Sequence, residues 1–151
     1  MIILGIDPGT TRIGFGIIKK GRNEISCLHY GLIAQPSLTL VTSEISKLVR
    51  DYKPDMAAVE KLFFFKNQKT IISVSEMRGV IMATLAMNNL PIKEFTPLQV
   101  KQAVSGYGRA GKGQVEFMVR LILNLKDEIK PDDAADGLAI AICCANTMVY
   151  E

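Results

Sequence analysis

The chain has 151 residues, 48% of them hydrophobic and 22% charged, which suffices for one compact domain that needs neither disulfides nor a structural metal ion. Its three cysteines, Cys27, Cys143 and Cys144, are odd in number and form no C-x-x-C pair, which argues against a disulfide framework or a zinc site and favours reduced thiols in the cytoplasm. The net charge of +3 permits a polyanionic partner but does not demand one.

The N-terminal part of the sequence predicts an antiparallel meander of three strands. Apolar runs at residues 1–7, 13–18 and 25–33 are separated by short sequences with turn chemistry. No cationic segment precedes the first run, so we expect no signal peptide. Because the longest apolar run, residues 138–145, is too short to cross a bilayer, we expect a soluble, cytoplasmic protein without a membrane partner.

The rest of the sequence predicts helices that alternate with two further strands. Apolar spacing and proline positions indicate strands at residues 56–60 and 92–96, and helices at residues 40–49, 71–87, 97–104, 114–123 and 131–147. A glycine-rich loop is expected at residues 105–113. We therefore predict one α/β domain over residues 1–151, with a mixed five-stranded sheet of three antiparallel strands and two parallel additions, flanked by helices.

Carboxylates occur at unusual places in this pattern. Asp7 and Glu60 each end an otherwise apolar strand, where a charge needs a partner such as a metal ion unless the strand end is simply solvated. Asp133 and Asp136 are three residues apart and share a face of the last helix, as do Asp132 and Asp136, four apart. Acids in the first turn of a helix are also favoured by capping and by the helix dipole, and Asp132 is the better candidate for that role.

Carboxylates that converge from two strand ends and a helix form a hard, oxygen-lined pocket. Such a pocket suits Mg²⁺ or Mn²⁺ and not zinc. Two such ions, about 3.5–4 Å apart, can bind both the attacking and the leaving oxygen of a phosphodiester. The single histidine, His29, lies in a predicted strand beside Tyr30, and we assign it a structural role.

Three stretches of the sequence resemble the RuvC family of Holliday-junction resolvases. They are GIDPG at residues 5–9 with GFG at 14–16 and VE at 59–60, TPLQVKQAVSGYGRAGK at 96–112, and DAADGLAIAI at 133–142. The similarity covers essentially the whole chain in the family's order. The first stretch alone is a weak signal, whereas the three together are specific.

The resemblance implies an RNase H-like fold and an endonuclease that resolves four-way DNA junctions by paired symmetric nicks in recombination and repair. The implied catalytic residues, which also hold two Mg²⁺ ions for which Mn²⁺ is expected to substitute, form an acidic tetrad: Asp7, Glu60, Asp133 and Asp136. The family's basic residues near the site correspond to Lys101 and to Lys112, which we count as catalytic, and its base-stacking aromatic residue corresponds to Phe63. A homodimer and branch-migration partner proteins are implied as well.

Two segments outside the tetrad are predicted to contact DNA. Phe63 stands in a run of three phenylalanines flanked by lysines such as Lys66, and rings beside cations suit unstacked bases next to phosphates, although one or two rings could anchor the loop in the core. The glycine-rich loop carries Arg109 and Lys112 and nearly matches a nucleotide-binding P-loop. Gly113 replaces the required Ser or Thr, however, and a helix precedes the loop. We therefore expect a flexible loop that approaches a DNA backbone, a solvated loop being the alternative.

The helix predicted at residues 71–87 is apolar on more than one face, and Gly79 permits close approach of another helix. Burial in the core would explain this pattern. We favour a dimer interface between two copies of the helix, because a two-fold enzyme matches a two-fold substrate.

Three other functions fit parts of the sequence. DPGTT at residues 7–11 followed by Gly14 resembles the first phosphate loop of actin-like ATPases and sugar kinases, which need two such domains and more than 151 residues. A nucleic-acid-binding module that has lost catalysis would not need the intact tetrad. A relative that acts in RNA metabolism is distinguished by comparing RNA and DNA junctions.

Overall fold

The described residues form five strands and five helices. The computed structural model describes residues 1–61 and 68–148, so the predicted DNA contacts Phe63 and Lys66 lie outside the described residues. The strands are β1 (Ile2–Asp7), β2 (Arg12–Lys20), β3 (Ile25–Ala34), β4 (Met56–Glu60) and β5 (Ile92–Phe95). The helices are α1 (Leu38–Tyr52), α2 (Gln68–Met87), α3 (Pro97–Ser105), α4 (Lys112–Leu123) and α5 (Asp132–Thr147).

The strands form one mixed sheet in the order β3-β2-β1-β4-β5. Short turns join β1, β2 and β3, which therefore pair antiparallel. β4 pairs parallel with β1, and β5 pairs parallel with β4. Parallel neighbours need long crossover connections, which α1 and α2 supply. The predicted α/β fold, with three antiparallel strands and two parallel additions, is confirmed.

The two faces of the sheet carry separate hydrophobic clusters. In β1, Ile3 belongs to the cluster under α3, α4 and α5, whereas Leu4 belongs to the cluster under α1 and α2. Successive strand residues point to opposite faces, so Asp7 shares the face of Ile3. In β4, Ala58 lies in the cluster under α5, and Glu60 shares its face. Both strand-end acids therefore point toward the layer that contains α5.

Helix α5 packs against β1 and β2 at very short distance. A Cβ atom added at Gly14 would lie 1.8 Å from the carbonyl oxygen of Asp133, and one added at Gly137 would lie 2.5 Å from the Cα atom of Phe15. Neither contact has room for a side chain larger than hydrogen. This close packing fixes the backbone of α5, and with it the position of the acids in its first turns.

The start of α4 differs from the sequence prediction. The glycine-rich loop was expected to continue through Gly113, whereas α4 begins at Lys112. The Gly111 N–H donates to the side-chain oxygen of Gln114 at 3.0 Å, which caps the helix early and draws Gly113 into its first turn. Lys112 therefore lies on a helix and not on a flexible loop.

Candidate active site

Two carboxylates lie side by side at the carboxyl ends of β1 and β4. These strands pair parallel with Ile6 opposite Val59, and Asp7 and Glu60 are the next residues on each strand. Neighbouring strands are about 4.8 Å apart, and the two carboxyl groups share a hydrogen bond. The structure thus brings together two acids that are 53 residues apart in the chain.

Helix α5 adds a third carboxylate to this pair. Asp136 lines the same cavity as Asp7 and Glu60. Asp133 lies one turn earlier, with its backbone against Gly14, the residue that pairs with Asp7 between β1 and β2. The three-residue spacing places both acids of α5 on the side of the helix that faces the sheet.

Asp132 has a different environment from its neighbour Asp133. It is the exposed first residue of α5, and Pro131 occupies the N-cap position, from which no side-chain hydrogen bond is made. Asp132 therefore lies in the first turn, as predicted, although it is not the N-cap residue itself. Its carboxylate still lies where the helix dipole favours a negative charge.

The acids open into a cavity of about 250 Å³ that also contains two lysines. Lys101 of α3 and Lys112 of α4 both line it, as the sequence led us to expect for residues close to the site. The Nζ atom of Lys112 lies 3.5 Å from Oδ2 of Asp136. The cavity therefore combines carboxylate oxygens with two positive charges.

Burial and mutual repulsion disturb the ionisation of the strand-end acids. Burial, followed by the negative charges of Glu60 and Asp136, raises the pKa of Asp7 to about 9. Burial also raises the pKa of Glu60, against the hydrogen bond with Asp7 and the positive charge of Lys101, which lower it. At neutral pH this pair of carboxyl groups therefore holds a proton, which a cation entering the cavity must displace.

Lys112 and Asp136 each shift the pKa of the other. Burial raises the pKa of Asp136, although the adjacent ammonium group of Lys112 lowers it. The negative charge of Asp136 is the main cause that raises the pKa of Lys112. The side chain of Lys112 is 64% exposed, so a permanently protonated amine stands between the cavity and solvent.

Asp133 is paired with an arginine that the sequence analysis did not single out. The Nε atom of Arg12 donates to Oδ2 of Asp133 at 2.7 Å. Asp133 does not line the cavity formed by the other acids. The sequence did indicate the side of the sheet on which Arg12 lies. Arg12 stands two residues before Gly14 on β2, and residues two apart on a strand share a face.

A second arginine connects α2 to the end of β4. The Nε atom of Arg78 donates to the backbone carbonyl oxygen of Glu60 at 3.3 Å, and its guanidinium group also pairs with Glu94 of β5. The side chain of Arg78 is only 19% exposed. Arg78 therefore holds the backbone of Glu60 in a fixed relation to α2, a role for which the sequence offered no signal.

The four acids offer the oxygen ligands that a hard divalent cation prefers, but two of them are engaged in ion pairs. The acids offer only carboxylate oxygens, and the raised pKa of Asp7 shows how poorly its negative charge is compensated. Across residues 1–61 and 68–148, however, no three Asp, Glu, His or Cys side chains are close enough to hold one ion in this conformation. Asp133 is paired with Arg12, and Asp136 with Lys112. These contacts must loosen before the four acids can coordinate an ion together.

Two further residues named in the sequence analysis, Arg109 and His29, do not line the cavity. Arg109 is exposed in the loop between α3 and α4 and does not line the cavity. His29 stacks on Tyr52 of α1, with ring centroids 5.3 Å apart and an interplanar angle of 7°. This contact agrees with the structural role that we assigned to the histidine.

Comparisons with known proteins agree with the geometry. A sequence model of the family described as crossover junction endodeoxyribonuclease RuvC matches residues 3–144. A crossover junction endodeoxyribonuclease RuvC from Petrotoga mobilis is 48% identical, over 97% of this chain and 94% of the relative.

Solved structures give the same result for the fold. The structure of Thermus thermophilus RuvC in complex with Holliday junction substrate has a TM-score of 0.87 and 32% identity, over 95% of this chain and 92% of the other. The fowlpox virus Holliday junction resolvase has a TM-score of 0.63 and 16% identity, over 99% and 100% of the two chains, and shows a likeness of fold alone. The expected RNase H-like fold is confirmed.

Proposed function

The chain belongs to the crossover junction endodeoxyribonuclease RuvC family, and from this premise we propose that it cuts four-way DNA junctions by paired symmetric nicks in recombination and repair. The observation that carries the proposal is the cavity in which Asp7, Glu60 and Asp136 lie beside Lys101 and Lys112. It combines oxygen ligands for a hard cation with positive charges for a phosphodiester. Branch-migration proteins are the partners expected from the family resemblance.

We further propose that Mg²⁺ is the cofactor and that Mn²⁺ substitutes for it. Asp7, Glu60 and Asp136 would hold it, joined by Asp133 once that side chain has left Arg12. Bound ions would supply activation of the attacking water and stabilisation of the leaving oxygen. Because the hydrogen-bonded carboxyl groups of β1 and β4 must lose their proton to bind a cation, the affinity for metal rises with pH.

The two lysines have separate roles in this proposal. Lys112 keeps its proton because Asp136 raises its pKa, and its place on the first turn of α4 gives the ammonium group a defined position. We assign Lys112 to stabilise the negative charge that develops on the scissile phosphate. Lys101 lies in α3 and contributes positive charge beside Glu60. Arg109, Phe63 and Lys66 stay predicted contacts to the DNA.

We propose that two copies of the chain form a homodimer through α2. One side of this helix is buried in the core through residues such as Met77 and Ile81. Its other side exposes apolar and small residues, including Ile72, Gly79 and Ala83, and a Cβ atom added at Gly79 would meet nothing within 4 Å. An open stripe of small residues leaves room for a second helix.

A membrane is the alternative partner for the exposed side of α2. Among the described helices, the segment Lys69–Met87 is long and apolar enough to cross a membrane by length and composition, and only 22% of that window is buried. This segment is longer than the apolar run at residues 138–145, on which the expectation of no membrane partner rests. We assign the surface to a second copy of the chain, since the family resemblance implies a dimer.

Substrate selectivity tests the proposed function. The wild-type protein is incubated with Mg²⁺ and one of three substrates: a synthetic four-way DNA junction, a linear duplex of the same sequence, and a four-way RNA junction. We expect nicks at symmetric positions in two DNA strands of like polarity, with the duplex and the RNA left intact. Equal cutting of the duplex, or nicks on one strand only, would contradict the proposal, and preferred cutting of RNA would favour a role in RNA metabolism.

A further inference from the structure

The carboxylate of Asp133 is paired with an arginine beside the cavity that it is predicted to serve. Arg12 Nε donates to Asp133 Oδ2 at 2.7 Å, a short charge-assisted hydrogen bond. Of the four predicted acids, the other three line the cavity and Asp133 does not. A cation from β2 therefore competes directly for the fourth acid of the site.

The backbone of Asp133 has no freedom to bring the carboxylate closer. The carbonyl oxygen of Asp133 lies where a Cβ atom of Gly14 would be, at 1.8 Å from it, and Gly137 is in similar contact with Phe15 one turn later. Two contacts of this kind hold the first turns of α5 against β2. Only rotation of the side chain can change the position of the carboxylate.

Rotation of the side chain is sufficient to reach the site. The Cβ atom of Asp133 lies 3.1 Å from the position of a Cβ atom at Gly14, and Gly14 is the direct partner of Asp7 in the β1–β2 pairing. Paired residues of antiparallel strands have Cα atoms about 4.5–5.5 Å apart. The side chain of Asp133 thus begins about one strand spacing from Asp7.

Both side chains of this ion pair contact water, so Asp133 can exchange Arg12 for a divalent cation. The side chain of Arg12 is 51% exposed and that of Asp133 is 25% exposed. Ion pairs that contact water are weak, and an arginine released from such a pair is solvated at once and leaves no buried charge without a partner. The buried acids around Asp7, in contrast, gain strongly from a divalent cation.

We propose that Arg12 is a positioning residue that holds Asp133 outside the cavity in the metal-free protein and releases it when a divalent cation enters. This inference rests on the proposed function, since it concerns the same metal site. Arg12 pairs with Asp133 and does not line the cavity. It acts only through Asp133. Removal of Arg12 leaves the Asp133 carboxylate free to bind a cation without first breaking an ion pair.

The test measures Mn²⁺ binding to the full chain without DNA, by electron paramagnetic resonance of the free ion. Four proteins are compared: wild type, Arg12→Gln, Asp133→Asn and the double variant. We expect Arg12→Gln to tighten Mn²⁺ binding by about two- to fivefold, the range of exposed ion pairs, and Asp133→Asn to weaken it. In the Asp133→Asn background, Arg12→Gln should change the affinity little, because the carboxylate that it frees is absent.

Controls separate this inference from a general effect of charge. Arg50→Gln removes an exposed arginine that is paired with Asp51 on α1, away from the cavity, and should leave Mn²⁺ affinity unchanged. Melting temperatures in chelator verify folding, and Arg12→Met, which keeps much of the side-chain length, repeats the test if Arg12→Gln unfolds early. Unchanged or weaker binding by the Arg12 variants, or equal tightening with and without Asp133, would overturn the inference alone. A wild-type protein that binds no Mn²⁺ would contradict the proposed metal site as well.

Discussion

Lys112 lies at the first position of α4 with its ammonium group 3.5 Å from a carboxylate oxygen of Asp136. We expect Lys112→Ala to slow single-turnover cleavage of a four-way junction on the order of 100-fold, as removal of one charge-stabilising donor does in other active sites. Junction affinity should fall much less, because the other predicted DNA contacts, Lys101, Arg109 and Lys66, are retained. Rates at saturating enzyme, with affinity from a separate titration, check this result.

A matched lysine provides the control for this variant. Lys47 is exposed on α1, on the other face of the sheet, and Lys47→Ala removes the same charge without touching the cavity. Its cleavage rate should equal that of the wild type. If Lys112→Ala also cleaves at the wild-type rate, Lys112 has no part in catalysis.

The three acids of α5 can be distinguished by mutation. Asp133→Asn and Asp136→Asn should abolish Mg²⁺-dependent cleavage, because both carboxylates belong to the predicted ligand set. Asp132 is exposed at the first position of the helix, so Asp132→Asn should cost at most about 1 kcal/mol of stability and little activity. The three variants are assayed on one junction together with their melting temperatures. An inactive Asp132→Asn beside an active Asp133→Asn would show that the assignment is wrong by one residue.

The sequence predicted the acids that interrupt an apolar pattern, and the family resemblance added Lys112 beside Asp136, but Arg12, the partner of Asp133, was missed. Asp7 and Glu60 could be found because each ends a strand that is otherwise apolar. The contact between Arg12 and Asp133 joins residues that are 121 positions apart, and the spacing of Arg12 and Gly14 on β2 gives the face of the sheet but not the partner.

At the scale of the elements, the contact between α5 and β2 determines where the acids lie. We expect Gly14→Ala to cost at least about 1–3 kcal/mol, because the added methyl group would overlap the backbone of Asp133 and α5 would have to shift. A displacement of about 1 Å at a catalytic group can reduce the rate on the order of 100-fold. Thermal unfolding and junction cleavage measure the two effects.

Gly113→Ala is the matched control for this substitution. A Cβ atom at Gly113 would meet nothing within 4 Å, and the residue lies within the first turn of α4. This variant should be as stable as the wild type or up to about 1 kcal/mol more stable, since alanine is the better helix former. If both glycine variants behave alike, close packing of α5 is not what positions the acids.

Element order, strand pairing and most helix limits could be predicted, because apolar periodicity and proline positions carry that information. The start of α4 was predicted two residues late. Three glycines among residues 108–113 suggested a loop, whereas one hydrogen bond from Gly111 to the side chain of Gln114 is enough to begin the helix at Lys112. The usual signal of a capping box, Ser or Thr at the cap position, was absent because glycine stands there.

For the whole molecule, the exposed side of α2 predicts self-association. We expect the wild-type protein to sediment as a dimer of the 16.6 kDa chain at micromolar concentration and Ala83→Arg to sediment as a monomer with an unchanged fold. The arginine would place a long charged side chain beside Gly79 and Ala86, in the part of the exposed stripe that lies between Glu76 and Met87 and carries only small residues. Ser43→Arg, at an exposed position of α1, is the control and should remain dimeric. A wild-type protein that stays monomeric both alone and on junction DNA would contradict the proposed interface.

The central claim is that the acids at the ends of β1, β4 and α5 hold the metal that cuts the junction. Single-turnover cleavage of a synthetic four-way junction by wild type and Asp7→Asn, with and without Mg²⁺ and with binding measured in parallel, tests it most directly. We expect the wild type to cleave only with Mg²⁺. Asp7→Asn should bind the junction equally or more tightly, because a negative charge near the phosphates is lost, and should cleave more slowly by at least about 100-fold, the upper range for loss of an outer-shell partner of a metal. Cleavage by Asp7→Asn at the wild-type rate, or equal cleavage by the wild type in chelator, would contradict the claim.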